Sequence, residues 1–170
     1  MTSAAATSIE ASPHVSFLEG GRIEYRQEFP AERGVVRVIR KAVGMMCQAW
    51  SLPEPLIETA ELVVSEIVTN AVRVSPPGEL LRATVRPTLG GGLYFDCADR
   101  ARDVPGTPAM PDEDAEDGRG LAIVEFLTPK HGWRALPGGW KSFWFVLEPP
   151  IEEDAVTNES TDTGPEPPVS

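Results

Sequence analysis

Two long segments of this sequence repeat their apolar residues every three or four positions, which is the spacing of an amphipathic helix. The first begins after Pro30 and continues to about residue 49. The second begins at Pro53 and Pro55, since the first helical turn tolerates proline, and it ends before Pro76. Its apolar stripe comprises Ile57, Ala60, Val64, Ile67, Val68 and Ala71. This stripe predicts the face of the second helix that lies in the core.

The other apolar segments are short and are bounded by glycine-rich turns, which is typical of strands. Strands are predicted over 22–29, 80–88, 93–98, 133–136 and 142–147. Glycines at 90–92 and 138–139 are expected to form hairpin turns. A third, short helix is predicted over 121–127, where Pro129 ends it. The pattern predicts an α/β (α+β) fold, a two-layer sandwich of a mixed, mostly antiparallel sheet with helices on one face.

Both ends of the chain differ in composition from this predicted domain. Residues 1–21 are small and polar, and we expect a disordered arm there. Residues 149–170 combine proline, serine, threonine and acidic residues, the composition of a disordered acidic tail. The folded domain is therefore expected over residues 22–148. The net charge of −11 comes mostly from this tail and from acidic residues at 112–117, and the chain without these two segments is nearly neutral.

The charge and composition exclude several classes of function. A protein with no basic stripe repels the phosphate backbone, so no direct binding to nucleic acid is expected. No apolar run approaches the roughly 20 residues of a membrane span, and residues 1–10 lack the features of a secretory signal. A cytoplasmic location without membrane contact is expected. Cys47 and Cys97 fit no metal spacing and are interpreted as core thiols.

The polar face of the second helix carries the most specific candidate chemistry. Glu66 and Asn70 lie one turn apart, opposite the apolar stripe, and Arg73 follows on the same side. An amphipathic helix ordinarily turns such a face to solvent. Alternatively, this face forms the floor of a pocket, where an amide and a carboxylate hold a cation and move a proton. The helix alone leaves both interpretations open.

Two further features are candidates for ligand contacts. Gly118 and Gly120 flank the start of the third helix, where backbone N–H groups and the helix dipole favour an anion. Many helices also begin after glycine without binding anything. Asp99 ends an alternating strand, where it acts either as a turn former or as an acceptor of hydrogen bonds from an amine in a cleft.

Together and in this order, these residues resemble the histidine-kinase-like ATPase superfamily, which includes gyrase, histidine kinases and the mismatch-repair ATPases. The segment Ser65-Glu66-Ile67-Val68-Thr69-Asn70-Ala71-Val72 looks like the N box of that superfamily. The closest resemblance is to the stand-alone bacterial serine/threonine kinases that act as anti-sigma factors. Phe29-Pro30-Ala31-Glu32 and Lys141-Ser142-Phe143-Trp144-Phe145 match that group as well. The resemblance covers about 25–147 and implies the Bergerat ATP-binding fold.

The resemblance implies a role for each matching residue, with ATP and Mg²⁺ as cofactors. Glu66 would be the general base for an attacking serine, and Arg37 would reach the terminal phosphate. Asn70 would coordinate Mg²⁺. Asp99 would accept a hydrogen bond from the adenine amine, with the Ser142 hydroxyl supporting it. The implied phosphate cradle comprises Gly118, Arg119, Gly120 and Leu121.

The function implied is sequestration of a sigma factor and phosphorylation of an anti-sigma antagonist protein. Proteins of this type often pair through the sheet, so a homodimer is also among the expectations. The alternative is a regulatory module that binds ATP weakly or not at all and acts by docking to a protein. Ala101 stands where the superfamily usually has glycine, and the segment 100–117 is acidic beside a site for a polyanion. These two departures favour the alternative.

Overall fold

A computed structural model of the protein describes residues 13–100 and 119–150, with the backbone alone at positions 119 and 121. The strands in these residues are β1 (His14–Phe17), β2 (Ile23–Pro30), β3 (Leu80–Pro87), β4 (Leu93–Asp99), β5 (Lys130–Leu136) and β6 (Trp140–Leu147). The helices are α1 (Arg33–Ala49), α2 (Glu54–Val74) and α3 (Arg119–Leu127). All the helices and the five strands predicted from the sequence are present, with ends that differ by a few residues.

The strands form one six-stranded sheet in the order β1-β2-β3-β4-β6-β5. All five pairings between the described strands are antiparallel. The expectation of a mixed sheet is therefore wrong in this respect. The helices α1 and α2 form a hairpin that returns the chain to the end of the sheet where β2 stops, because Pro30 pairs with Leu80. The two-layer sandwich is confirmed.

The strand β1 corrects the expectation of a disordered arm over residues 1–21 for its described part, residues 13–21, whereas residues 1–12 lie outside the described residues. Residues 14–17 pair with β2, with Val15 opposite Tyr25. Gly20 and Gly21 have φ angles of 79° and 74°, which is left-handed backbone that favours glycine. These glycines therefore form the turn of a hairpin, which the sequence analysis interpreted as the end of an arm. No described helix is long and apolar enough to cross a membrane.

The core lies between the sheet and one layer of helices. All three helices contribute apolar side chains to one cluster with the inward residues of β3, β4 and β6. Phe95 and Phe145 lie at its centre, are fully buried and have ring centroids 5.6 Å apart. Cys47 and Cys97 are free and buried, as predicted. Burial, and next the charge of Glu61, raises the pKa of Cys47 to about 11, so this thiol stays protonated at neutral pH.

The opposite face of the sheet is covered by its own long side chains. The buried Asp96 carboxylate accepts hydrogen bonds from the Tyr94 hydroxyl at 2.8 Å and from Arg134 at 2.5 Å. The Tyr94 ring stacks on Trp144, and the Arg86 guanidinium lies 4.2 Å from the Tyr94 ring centroid. Burial, and next the Asp96 carboxylate, raises the pKa of Tyr94. These contacts explain why every residue of β4 is buried although helices cover one face only.

Candidate functional site

The helix α2 directs its apolar stripe into the core and leaves a polar strip along its side. Ile57, Val64 and Val68 are almost completely buried. Glu66 and Asn70 are half-buried, so the structure places neither of them fully in solvent. This placement follows from the 3.6-residue period, which separates the two side chains by one turn on a face away from the stripe. The helix α3 packs on α2 and covers part of the Glu66 side chain.

The start of α3 lies directly against the Glu66 carboxylate. A Cβ atom at Gly120 would collide with Glu66 Oε2 and would lie 3.3 Å from Glu66 Cδ. Gly120 therefore lets the Glu66 carboxylate lie against the α3 backbone, at a place from which a Cβ would displace it. The structure thus brings together a carboxylate and a helix N-terminus, whose backbone N–H groups have no partner within the helix. Sequence reasoning selected both residues.

Asn70 forms a hydrogen bond within its own helix. The Arg73 guanidinium donates to Asn70 Oδ1 at 2.6 Å. The bond joins residues three positions apart, which face the same side of a helix. An amide oxygen has two lone pairs, so one acceptor position of Oδ1 is taken by Arg73. The sequence analysis placed Arg73 on this face without assigning it a role.

Asp99 ends β4 on the face of the sheet that carries the helices. It is 2% exposed and shares this face with the core residues Phe95 and Cys97, because side chains alternate along a strand. Directly opposite on β6 is Lys141, which is also buried. Lys141 Nζ lies 3.7 Å from Asp99 Oδ1, so the two form a buried ion pair. The ammonium also lies 5.7 Å from the centroid of the Trp133 ring.

The structure does not bring Ser142 together with Asp99. Ser142 pairs with Ala98, and directly opposite residues of antiparallel strands share a face. Its side chain therefore points to the outer face of the sheet, away from Asp99. It is fully buried there, and its hydroxyl has no hydrogen-bond partner among the described residues. Lys141, one residue earlier, occupies the place beside Asp99 that was expected for Ser142.

The sequence pattern contained the signal that identifies Lys141. Phe143 and Phe145 belong to the core, so the same alternation on β6 assigns position 141 to the helix-facing side. The alternation of β4 assigns Asp99 to that side as well. Counting every second residue from the buried phenylalanines of both strands would have placed Asp99 and Lys141 on the same face of the sheet.

The structure gives less information on the remaining predicted site residues. Arg37 is exposed on α1, and no described contact joins it to Glu66 or Asn70. Gly118 lies outside the described residues, as does Ala101. Arg119 and Leu121 belong to the first turn of α3 through their backbone. The described residues contain no group of three or more His, Cys, Asp or Glu side chains that could hold a metal ion.

The comparison with protein families decides which family this arrangement belongs to. A family model described as the histidine kinase-like ATPase domain matches residues 29–139, which is more than half of the chain. The chain belongs to this histidine kinase-like ATPase family. The match begins at the end of β2 and includes α2, β4 and the start of α3, the elements that carry Glu66, Asn70, Asp99 and Gly120. No curated protein matches the sequence.

The polar residues of this histidine kinase-like ATPase domain fit Mg²⁺ and a nucleotide in their donor chemistry. Mg²⁺ prefers oxygen ligands, and in nucleotide sites one or two side chains and the phosphates usually supply them. Asn70 Oδ1 retains a second lone pair, and the Glu66 carboxylate lies one turn away on the same helix. Gly120 leaves the backbone of the first turn of α3 without a side chain beside the Glu66 carboxylate. Asp99 supplies a buried acceptor for an amine.

Gly120→Ala is expected to lower the phosphoryl-transfer rate proposed below by about 10²- to 10⁴-fold, while changing the free energy of unfolding by less than about 1 kcal/mol. The added Cβ displaces the end of a flexible glutamate side chain, which costs little, but Glu66 leaves its position. Denaturant unfolding measures stability, and nucleotide-dependent phosphorylation of a protein substrate measures activity.

Gly44→Ala on α1 is the matched control for this change. A Cβ at Gly44 would displace the Glu61 carboxylate of α2 in the same manner, at a place with no predicted function. Gly44→Ala should therefore match Gly120→Ala in stability and retain full activity. Equal activity of the two variants would contradict a role for the Glu66 position.

Proposed function

We propose that this histidine kinase-like ATPase domain is an ATP-binding regulatory protein with serine/threonine kinase activity. Its substrate is an anti-sigma antagonist protein, and its second partner is a sigma factor that it sequesters. The single observation that carries the proposal is the contact between Glu66 and Gly120. This contact places a carboxylate beside the helix start at which the phosphates of a nucleotide are expected. The resemblance to anti-sigma-factor kinases supplies the partners.

Each residue of the proposed site acts by positioning, by charge or by accepting a proton. Bound Mg-ATP supplies the phosphoryl group, and its transfer depends mainly on geometry and electrostatic stabilisation. Glu66 accepts the proton of the attacking serine hydroxyl. Asn70 holds Mg²⁺ through Oδ1, and Asp99 accepts a hydrogen bond from the base. Arg37 neutralises charge on the terminal phosphate when substrate and nucleotide are both bound.

Phosphorylation of candidate antagonist proteins tests the proposal directly. The protein is incubated with Mg-ATP and purified antagonists, and phosphoserine or phosphothreonine is located by mass spectrometry. Asn70→Ala should remove the modification because the metal loses its side-chain ligand. Thr69→Ala, at the exposed neighbour on α2, should retain it. No phosphorylation of any antagonist, with Asn70→Ala and wild type alike, would overturn the kinase proposal.

A second function, docking to a protein without catalysis, is favoured by the internal pairing of the site. Asn70 Oδ1 accepts from Arg73, and Asp99 is paired with Lys141, so two of the groups that would bind a nucleotide have partners within the chain. Thermal shift with Mg-ATP separates the two functions. A ligand at 100 times its dissociation constant stabilises by about 2.7 kcal/mol, whereas a docking module shows no shift.

A further inference from the structure

The solvent face of α1 carries a concentration of positive charge. Arg33, Arg37 and Lys41 are exposed and lie four positions apart, so they follow one another along one side of the helix. Arg40 is half-buried beside them, and α1 contains no acidic residue. In the described part of the chain, no salt bridge involves any of these four cations. We call these four cations the basic face. The sequence analysis found no basic stripe, because other residues separate these cations along the chain and only the helix aligns them.

The acidic tail, residues 149–170, carries the opposite charge. It contains no lysine, arginine or histidine. Its six acids are Glu152, Glu153, Asp154, Glu159, Asp162 and Glu166. Opposite charges that are separated in this way within one chain attract each other, and salt screens the attraction. The tail and the basic face are therefore complementary in charge.

The acidic tail leaves the domain at the end where α1 finishes. Leu147 at the end of β6 pairs with Leu93, and Leu93 pairs with Pro87 at the end of β3. Tyr25, near the start of the next strand β2, has its ring centroid 6.4 Å from that of Trp50, directly after α1. Crossing from β6 to β2 takes three strand spacings, about 14 Å, and an extended chain spans about 3.3 Å per residue. The acids follow β6 by 5 to 19 residues, so the tail is long enough to reach α1.

Apolar residues accompany the charges on both partners. Val38 and Met45 lie on the solvent side of α1 and are 54% and 69% exposed. In the tail, Ile151 and Val156 flank the acids at 152–154. A segment that brings carboxylates to the basic face can thus also cover exposed apolar side chains of α1.

We propose that the basic face of α1 is an interaction surface for an acidic chain segment, and that its occupant is the acidic tail of the same molecule. A short flexible tether gives an effective concentration of about millimolar, so a few exposed charge contacts are sufficient. The net charge of −11 disfavours a nucleic acid in the same place. Docking covers Arg37 and keeps it from the terminal phosphate in the proposed function, but the docking itself does not depend on nucleotide binding.

Zero-length cross-linking with a carbodiimide tests the contact, because it joins a lysine amine only to a carboxylate that touches it. The full-length protein is treated in low salt, and joined peptides are identified by mass spectrometry. Lys41, the lysine of the basic face, should be joined to acids of the tail, and about 1 M salt should lower this yield tenfold or more. Lys130 and Glu148, whose charged atoms are 2.5 Å apart, are the internal standard for the reaction.

Charge variants of the full-length protein test the basic face itself. Arg33→Gln/Arg40→Gln should lower the yield of the Lys41 cross-link about fivefold relative to the internal standard in low salt, since two exposed charge contacts are lost. Arg22→Gln/Arg26→Gln is the matched control, because it removes the same charge outside α1. It should leave the yield at the wild-type value. Circular dichroism checks that both variants fold.

The outcomes decide both the surface and its occupant. No cross-link between Lys41 and the tail would overturn the proposal, and so would joining of Lys41 to the acids at 112–117 in its place. Cross-links between isotope-labelled and unlabelled molecules would show that the tail binds a second copy, which would overturn the intramolecular occupant. A Lys41 yield that neither salt nor Arg33→Gln/Arg40→Gln lowers would show random collision. None of these results bears on the proposed kinase activity, which the phosphorylation of antagonists tests separately.

Discussion

Glu66→Gln is expected to lower the rate of phosphoryl transfer by about 10²- to 10⁴-fold, the usual contribution of a general base. Glutamine keeps the size of the side chain and its contact with Gly120, but its amide does not take up a proton from a serine hydroxyl. The binding constant for Mg-ATP should change by less than about threefold, because the lost interaction acts mainly in the transition state. Single-turnover kinetics with a phosphorylatable antagonist measures the rate, and calorimetry measures binding.

The matched control is Glu58→Gln, two turns earlier on α2. Glu58 is exposed, and the same chemical change there should leave both the rate and the affinity at wild-type values. Gly120→Ala should resemble Glu66→Gln in rate, since both remove a carboxylate from the same position. An unchanged rate in Glu66→Gln would show that another group accepts the proton, and it would leave the contact with Gly120 as packing alone.

The sequence predicted the elements of the fold well because periodicity is a local property. The stripe that includes Val64 and Val68 predicted the buried face of α2, and the structure confirms it. The turns at 90–92 and 138–139 predicted two hairpins, which are also confirmed. The antiparallel pairing of all the described strands depends on how the α1–α2 hairpin returns the chain, which no local pattern encodes.

The burial of the outer face of β4 was not predicted from alternation. Alternation along this strand gives no reason for both of its faces to be buried, yet Asp96 is 3% exposed. The cover comes from side chains that are distant in sequence, such as Arg86 and Arg134. Arginine stems cover apolar surface while their guanidinium groups pair with acids and rings. Only the register of neighbouring strands shows that these partners meet.

The candidate site was predicted only in part, because its residues are also distant in sequence. Glu66 and Gly120 lie 54 positions apart and meet because α3 packs on α2, and family resemblance supplied what periodicity could not. Resemblance then assigned the partner of Asp99 to Ser142, a short hydroxyl residue of the right type. The pairing of β4 with β6 assigns it to Lys141 instead. A motif match without the register of the strand placed the hydroxyl on the wrong face.

The buried pair of Asp99 and Lys141 gives the second large expected effect, this time on stability. Lys141→Met should lower the free energy of unfolding by about 3–5 kcal/mol, because it removes the cation of a buried ion pair. Asp99→Asn should lower it by a similar amount, since it removes the anion of the same pair. Urea unfolding monitored by circular dichroism measures all three proteins.

The double variant Asp99→Asn/Lys141→Met decides whether the pair is desolvated. It removes both charges, and it should therefore be more stable than either single variant, so the two changes are strongly non-additive. Lys130→Met provides the contrast, because that lysine side chain is 63% exposed and an exposed pair contributes about 0–1 kcal/mol. Salt should weaken the Lys130 pair and leave the buried pair almost unchanged. Additive losses in the double variant, together with salt sensitivity at Lys141, would mean that water reaches the pair.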